Sequence, residues 1–83
     1  MAGKITAKIF DFAHGLRQYE DVRLIRLKSK TYQLAIMEDH LPLLGTIEQG
    51  SLEIVTDTDR AMLEHIDGYY MHKKNVFELI VKE

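Results

Sequence analysis

Alternation between apolar and polar residues dominates the chain. In residues 4–9 the odd positions are apolar, namely Ile5, Ala7 and Ile9, and the even positions are polar. A period of two is typical of a strand that is buried on one face. Similar segments, rich in β-branched and aromatic residues, recur further on. The pattern predicts strands at residues 4–9, 22–27, 31–36, 51–56, 60–66 and 76–81.

Short polar segments separate the predicted strands. Asp57-Thr58-Asp59 predicts a turn, because aspartate side chains bond readily to nearby backbone amides, and Asp67-Gly68 predicts another. By residue type, residues 60–66 suit either a helix or a strand, and a strand paired back across the first turn is the simpler interpretation. Together these elements predict an all-β fold, a small antiparallel β-sandwich or flattened barrel, as one domain over residues 1–83.

Composition narrows the function classes. The chain has 83 residues, no cysteine and a formal net charge of −2. The absence of cysteine excludes disulfides and thiolate metal sites, and the balanced charge argues against nucleic acid as a partner. The chain lacks an apolar run near the ~20 residues of a membrane span, and its first residues lack the apolar core of a signal peptide. We therefore expect an intracellular protein without membrane insertion.

Candidate chemistry is sparse. The 4 histidines lack metal-ligand spacing and are interpreted as structural, with the exception of His40, which belongs to the segment described next. The segment Asp57-Thr58-Asp59 is similar to the start of a calcium loop but lacks its glycine and distal glutamate, which favours a solvated turn. A basic cluster in residues 23–30 lacks interleaved aromatic residues, so a charged strand end or the rim of a protein contact is the better interpretation. No phosphate-binding or nucleophile motif is present in the sequence, and we predict no catalytic site, metal or cofactor.

Residues 40–44 read His-Leu-Pro-Leu-Leu, and Gly50 follows them just before an alternating strand. This segment resembles the G-H-x-P-L-L element and following glycine of the epsilon subunit of F-type ATP synthases. Asp67-Gly68-Tyr69 is similar to that family's S-G-G element, and residues 75–79 are similar to its N-V-x-V-L strand. The resemblance covers nearly the whole chain and the family's N-terminal domain, which is a β-sandwich.

The sequence also departs from that family. Before the histidine motif the family usually has a glycine-rich segment, G-x-L-G-I-x-P-G-H. The equivalent positions here hold Tyr32, Ala35, Glu38 and Asp39, which indicates a remodelled loop. The family's C-terminal helical pair has no counterpart before Glu83. The resemblance therefore implies neither autoinhibition nor nucleotide binding for this chain.

The resemblance implies a non-catalytic rotor subunit that links gamma to the membrane c-ring and couples ion transport to ATP synthesis or hydrolysis. Such a subunit would be peripheral, on the cytoplasmic side of a bacterial membrane. His40, Pro42, Leu43 and Leu44 are the candidate contact residues for gamma or the c-ring.

The residues of this segment also allow a different interpretation. Proline lacks a backbone donor and suits a strand edge, and the two leucines suit one inward and one outward position. From residue types alone, a buried turn in a monomeric sandwich is the alternative. The rival function is a stand-alone β-sandwich adaptor that binds a protein or peptide, for example at a free sheet edge.

Overall fold

The computed structural model describes residues 4–82, and within this range all regular structure is strand. The all-β prediction is confirmed. The ends of the predicted domain, residues 1–3 and 83, lie outside the described range. The strands are β1 (Ile5–Asp11), β2 (Gly15–Lys28), β3 (Gln33–Ile36), β4 (Leu43–Thr56), β5 (Arg60–Lys73) and β6 (Val76–Val81).

The strands close into a small barrel. Their order is β1-β6-β5-β4-β2-β3, and β1 also pairs with β2. Five strands therefore form a closed ring, and β3 is an extra strand on the edge of β2. β1 and β6 run parallel, whereas the other pairs run antiparallel. The principal extents of 35 × 25 × 18 Å are those of a flattened barrel, as predicted.

The long strands β2, β4 and β5 differ most from the prediction, which gave them residues 22–27, 51–56 and 60–66. Each has 14 residues, so β4 includes the segment that carries the candidate contact residues, and β5 runs straight through Asp67-Gly68. The predicted turn at Asp67-Gly68 is wrong. Gly68 is instead a place of close backbone approach, because a Cβ there would collide with the carbonyl oxygen of Ile80 on β6. Asp67 accepts a hydrogen bond from the Gln49 amide at 3.0 Å.

Bulges bend β4 and β5 around the barrel. The β4–β5 register shifts between Ile47 and Gly50, and again after Gly50. Gln49 and His65 have φ values of 45° and 57°, in the left-handed region typical of such bulges. A Cβ on Gly50 would collide with the carbonyl oxygen of Lys28, so glycine allows β2 and β4 to approach at this point.

The core lies inside the barrel and follows the period of two. The predicted inward set of β1 is confirmed, since Ile5, Ala7 and Ile9 are all fully buried. The other buried apolar residues are Val22, Ile25, Leu27, Ile36, Ile47, Leu52, Ile54, Leu63, Ile66, Tyr70, Phe77 and Leu79.

A two-residue turn joins β5 to β6. Lys73 pairs with Val76, and Lys74 and Asn75 between them have φ values of 51° and 62°. Two central residues with positive φ define the hairpin turn whose twist matches that of the flanking strands. The predicted turn at Asp57-Thr58-Asp59 is also confirmed, since the Thr56 amide donates to the Asp59 carbonyl at 2.9 Å.

Candidate functional site

The four candidate contact residues lie at the start of β4 and in the loop before it, but their side chains face different ways. Leu43 packs against the core, whereas Leu44 is 84% exposed. Successive strand residues point to opposite faces, so one leucine faces inward and one outward, as predicted. Pro42 is exposed, and His40 is half-buried with its ring against His72. Leu44 is therefore the β4 side chain that offers apolar surface to solvent.

Leu44 belongs to a larger apolar surface on the outside of the barrel. We call this surface the outer apolar face. Its large side chains are all between 43% and 84% exposed, and they line one open groove. The members of the outer apolar face are Phe10, Leu16, Leu44, Tyr69, Met71 and Ile80.

Strand pairing explains how residues distant in sequence meet on the outer apolar face. Leu16 lies opposite Phe10 across the β1–β2 hairpin, and Phe10 lies opposite Ile80 across the parallel pair. Ile80 in turn lies opposite Tyr69 on β5. The two remaining members, on β4 and β5, lie opposite each other in the next row. Outward residues on adjacent strands are neighbours, so the rows form one surface.

Few charges interrupt the outer apolar face. Lys8 and Glu78 lie opposite each other on β1 and β6 and line the same groove. The Lys82 ammonium lies 5.7 Å from the centre of the Tyr69 ring. Aromatic residues and methionine with charge at the margin are typical of the cores of protein interfaces, and an exposed apolar patch of this kind marks an interaction surface.

The β1–β2 turn fixes one end of the outer apolar face. Asp11 is buried, and its carboxylate accepts hydrogen bonds from the His14 backbone amide at 2.6 Å and from Arg17 Nη2 at 2.8 Å. The His14 amide, with smaller contributions from the charges of His14 and Arg17, lowers the pKa of Asp11 below its ordinary value of 3.8. Phe12, 82% exposed, projects from the tip of this turn.

Under the start of β4 lies a buried histidine that sequence reasoning treated as structural. His72 is 0% exposed, and its ring meets the His40 ring edge-on, with 6.2 Å between centroids. Neither ring nitrogen of His72 has a hydrogen-bond partner within residues 4–82. Burial, and to a smaller extent the charge of His40, lowers the pKa of His72.

The other half of β4 and β5 carries charged pairs. Glu53 is buried and pairs with Arg26 at 3.1 Å and with Arg60 at 3.2 Å. Arg23 pairs with Asp57 at 3.1 Å. Two members of the basic cluster are therefore neutralised by carboxylates of this chain. Within residues 4–82, no three potential ligand side chains come together as a metal site would require.

Sequence reasoning identified Leu44 but missed the rest of the outer apolar face. The signal was present as adjacent apolar residues that interrupt the alternation. Phe10 follows Ile9, Ile80 follows Leu79, and Leu44 follows Leu43. In each pair one side chain is in the core or against it, which forces the other to the outside.

The fold and the site define a small closed β-barrel with one exposed apolar face. The barrel matches solved structures, among them a chain in the cryo-EM structure of the central stalk and c-ring of the Tetrahymena thermophila mitochondrial ATP synthase. The TM-score is 0.76 at 17% identity, over 99% of this chain and 66% of that chain. The present chain thus spans about two thirds of its neighbour's length. Comparisons with protein-family models and with curated proteins found no match.

Within the described residues 4–82, no helix is long and apolar enough to cross a membrane.

Proposed function

We propose that this chain is a non-catalytic subunit of the central stalk of an F-type ATP synthase, equivalent to the epsilon subunit. The observation that carries the proposal is the match of the barrel, over 99% of its length, to a chain from the central stalk and c-ring of such an enzyme. The ordered motifs at residues 40–50, 67–69 and 75–79 support the same assignment independently.

In this role the chain links gamma to the membrane c-ring and so couples ion transport to ATP synthesis or hydrolysis. It works as a peripheral subunit on the cytoplasmic side of a bacterial membrane. A rotor link transmits torque, which needs a rigid scaffold and a stable contact. The closed barrel supplies the scaffold, because its five strands have no open edge within the ring.

We assign the contact with gamma to the outer apolar face. Leu44 is 84% exposed there and serves as an anchor, while Leu43 supports it from the core side. His40 fixes the segment before β4 through its ring contact with the buried His72. Burial of exposed large apolar side chains against a partner is favourable at about 25 cal/mol per Å².

The test is a titration of this chain against the gamma subunit of the same organism, with Leu44→Asp as the disruptive variant. Its control is Met62→Asp, at a methionine that is 53% exposed outside the outer apolar face. Circular dichroism first checks that both variants remain folded. We expect one-to-one binding that weakens about tenfold or more in Leu44→Asp, because the new carboxylate must be desolvated, and that is retained in Met62→Asp.

Equal loss of affinity in both variants would contradict the assigned face. No binding by the folded wild-type chain well above micromolar concentration would contradict the rotor assignment and favour an adaptor with another partner.

A further inference from the structure

His72 is a buried titratable group that is not a member of the outer apolar face. It lies in the middle strand of three, opposite Leu43 on β4 and opposite Phe77 on β6. Its ring is fully buried, and within residues 4–82 neither ring nitrogen has a hydrogen-bond partner. An apolar side chain would fill the same space without that penalty, so this histidine requires a separate explanation.

The β3–β4 loop, residues 37–42, covers His72. The His40 ring lies edge-on to the His72 ring, and the His40 amide donates to the Met37 carbonyl at 3.1 Å. The loop is tied to the β5–β6 turn by a reciprocal pair of hydrogen bonds. The Asp39 amide donates to Asn75 Oδ1 at 2.7 Å, and Asn75 Nδ2 donates to Asp39 Oδ1 at 3.2 Å.

Among the described residues 4–82, the groups packed around His72 offer a proton on its ring no buried negative charge. β4 and β6 place Leu43 and Phe77 opposite the ring. The loop contributes His40, whose own charge opposes a second cation, while its two carboxylates, Glu38 and Asp39, are exposed to solvent. Tyr70, on the same strand, stays protonated because burial raises its pKa. Lys73 and Glu78 are exposed to solvent. A proton on the buried ring would therefore be an uncompensated charge.

We propose that the His40–His72 pair is an acid-sensitive latch, in which protonation of His72 opens the β3–β4 loop and loosens the Leu43-Leu44 start of β4. β5 is held by ladders on both sides, whereas the loop is held by a few exposed hydrogen bonds, so the loop is the part that moves. Because Leu44 belongs to the outer apolar face, opening of the latch lowers the affinity of that face for gamma in acid. This last step rests on the proposed function.

The first experiment needs no partner. Amide hydrogen exchange of the full chain, measured by NMR from pH 7.5 to pH 5.5 and corrected for intrinsic rates, follows the Asp39 and His40 amides. Below the ordinary histidine pKa of about 6.5, linkage to one proton raises the opening constant by up to about tenfold per pH unit. His72→Phe keeps an aromatic ring, somewhat larger than imidazole, and cannot be protonated, so its opening constant does not change with pH. His72→Leu, which is closer to histidine in volume, is measured in parallel.

Two results would overturn the latch. One is the same pH dependence in the wild type and in both variants. The other is equal opening of the β1 amides in acid, which would mean global unfolding in place of a local release.

The second experiment repeats the gamma titration at pH 7.5 and pH 5.5. Wild-type affinity falls in acid, and His72→Phe affinity falls less. If the loop opens in acid but the affinity for gamma falls equally in the wild type and in His72→Phe, the coupling to the outer apolar face is overturned. Absence of binding at both pH values would contradict the proposed function, and the exchange experiment would still decide whether the latch exists.

Discussion

At the scale of single residues, Asp11 is a buried acidic group whose partners hold it in its ionised form. Its buried carboxylate closes the β1–β2 turn through the His14 amide and the Arg17 guanidinium. These partners favour the ionised form, so the folded state holds the pKa of Asp11 below that of the unfolded chain. The turn then positions Phe10 and Leu16 on the outer apolar face.

The pH dependence of this contribution has a definite sign. Below the ordinary pKa of 3.8, Asp11 is protonated in the unfolded chain while it is still ionised in the folded chain. The unfolded state then binds more protons, so the stability that Asp11 contributes is lost as pH falls through the folded pKa. Asp11→Asn removes the titration. In urea unfolding, we expect the stability difference between wild type and variant to be constant above about pH 5 and to shrink below the ordinary pKa. A difference that keeps its full size into strong acid would contradict this account.

Tyr32 shows what a sequence cannot reveal at this scale. It stands where the resembled family has a glycine, and a remodelled loop was expected there. The Tyr32 hydroxyl donates to the Thr46 carbonyl and lies 3.0 Å from the Tyr70 hydroxyl. The bonds join residues 14 and 38 positions apart, so no local pattern in the sequence indicates them.

At the scale of elements, period-two alternation predicted strands well only where the strands are regular. β6 has the predicted bounds, and β1 nearly so. β2, β4 and β5 were predicted far too short, because bulges at Asp21, Gln49 and His65 shift the parity of the side chains partway along each strand. The two halves of each strand then have separate alternation patterns. In β5, the Asp67-Gly68 pair has the residue types of a turn, although the strand continues through it.

The bulge at Gly50 gives a test at this scale. A Cβ at Gly50 would collide with the Lys28 carbonyl, so Gly50→Ala must push β2 and β4 apart. We expect a loss of about 1–3 kcal/mol in the free energy of unfolding, as for other overpacked sites. The neighbouring Ser51→Ala is the control and should change stability by less than about 0.5 kcal/mol. Equal small effects in urea unfolding would show that the approach of the two strands is not tight.

At the scale of the whole molecule, the outer apolar face depends on the parallel pairing of β1 with β6. Its members come from β1, β2, β4, β5 and β6, and the parallel β1–β6 pair joins the two ends of the chain across it. The sequence predicted the outward position of Leu44 from its neighbour Leu43. It could not assemble the other members, because that requires knowing which strands are adjacent and in which register.

The central claim is that the outer apolar face binds gamma, and methionine oxidation tests it most directly. Met71 belongs to that face and is 43% exposed, while Met62 lies on the same strand outside it and is 53% exposed. Both react with peroxide in the free chain, and mass spectrometry follows each separately. In complex with gamma, we expect Met71 oxidation to slow about tenfold or more, because a buried interface core excludes solvent, with Met62 unchanged. Protection of Met62 with Met71 still reactive would contradict the assigned face.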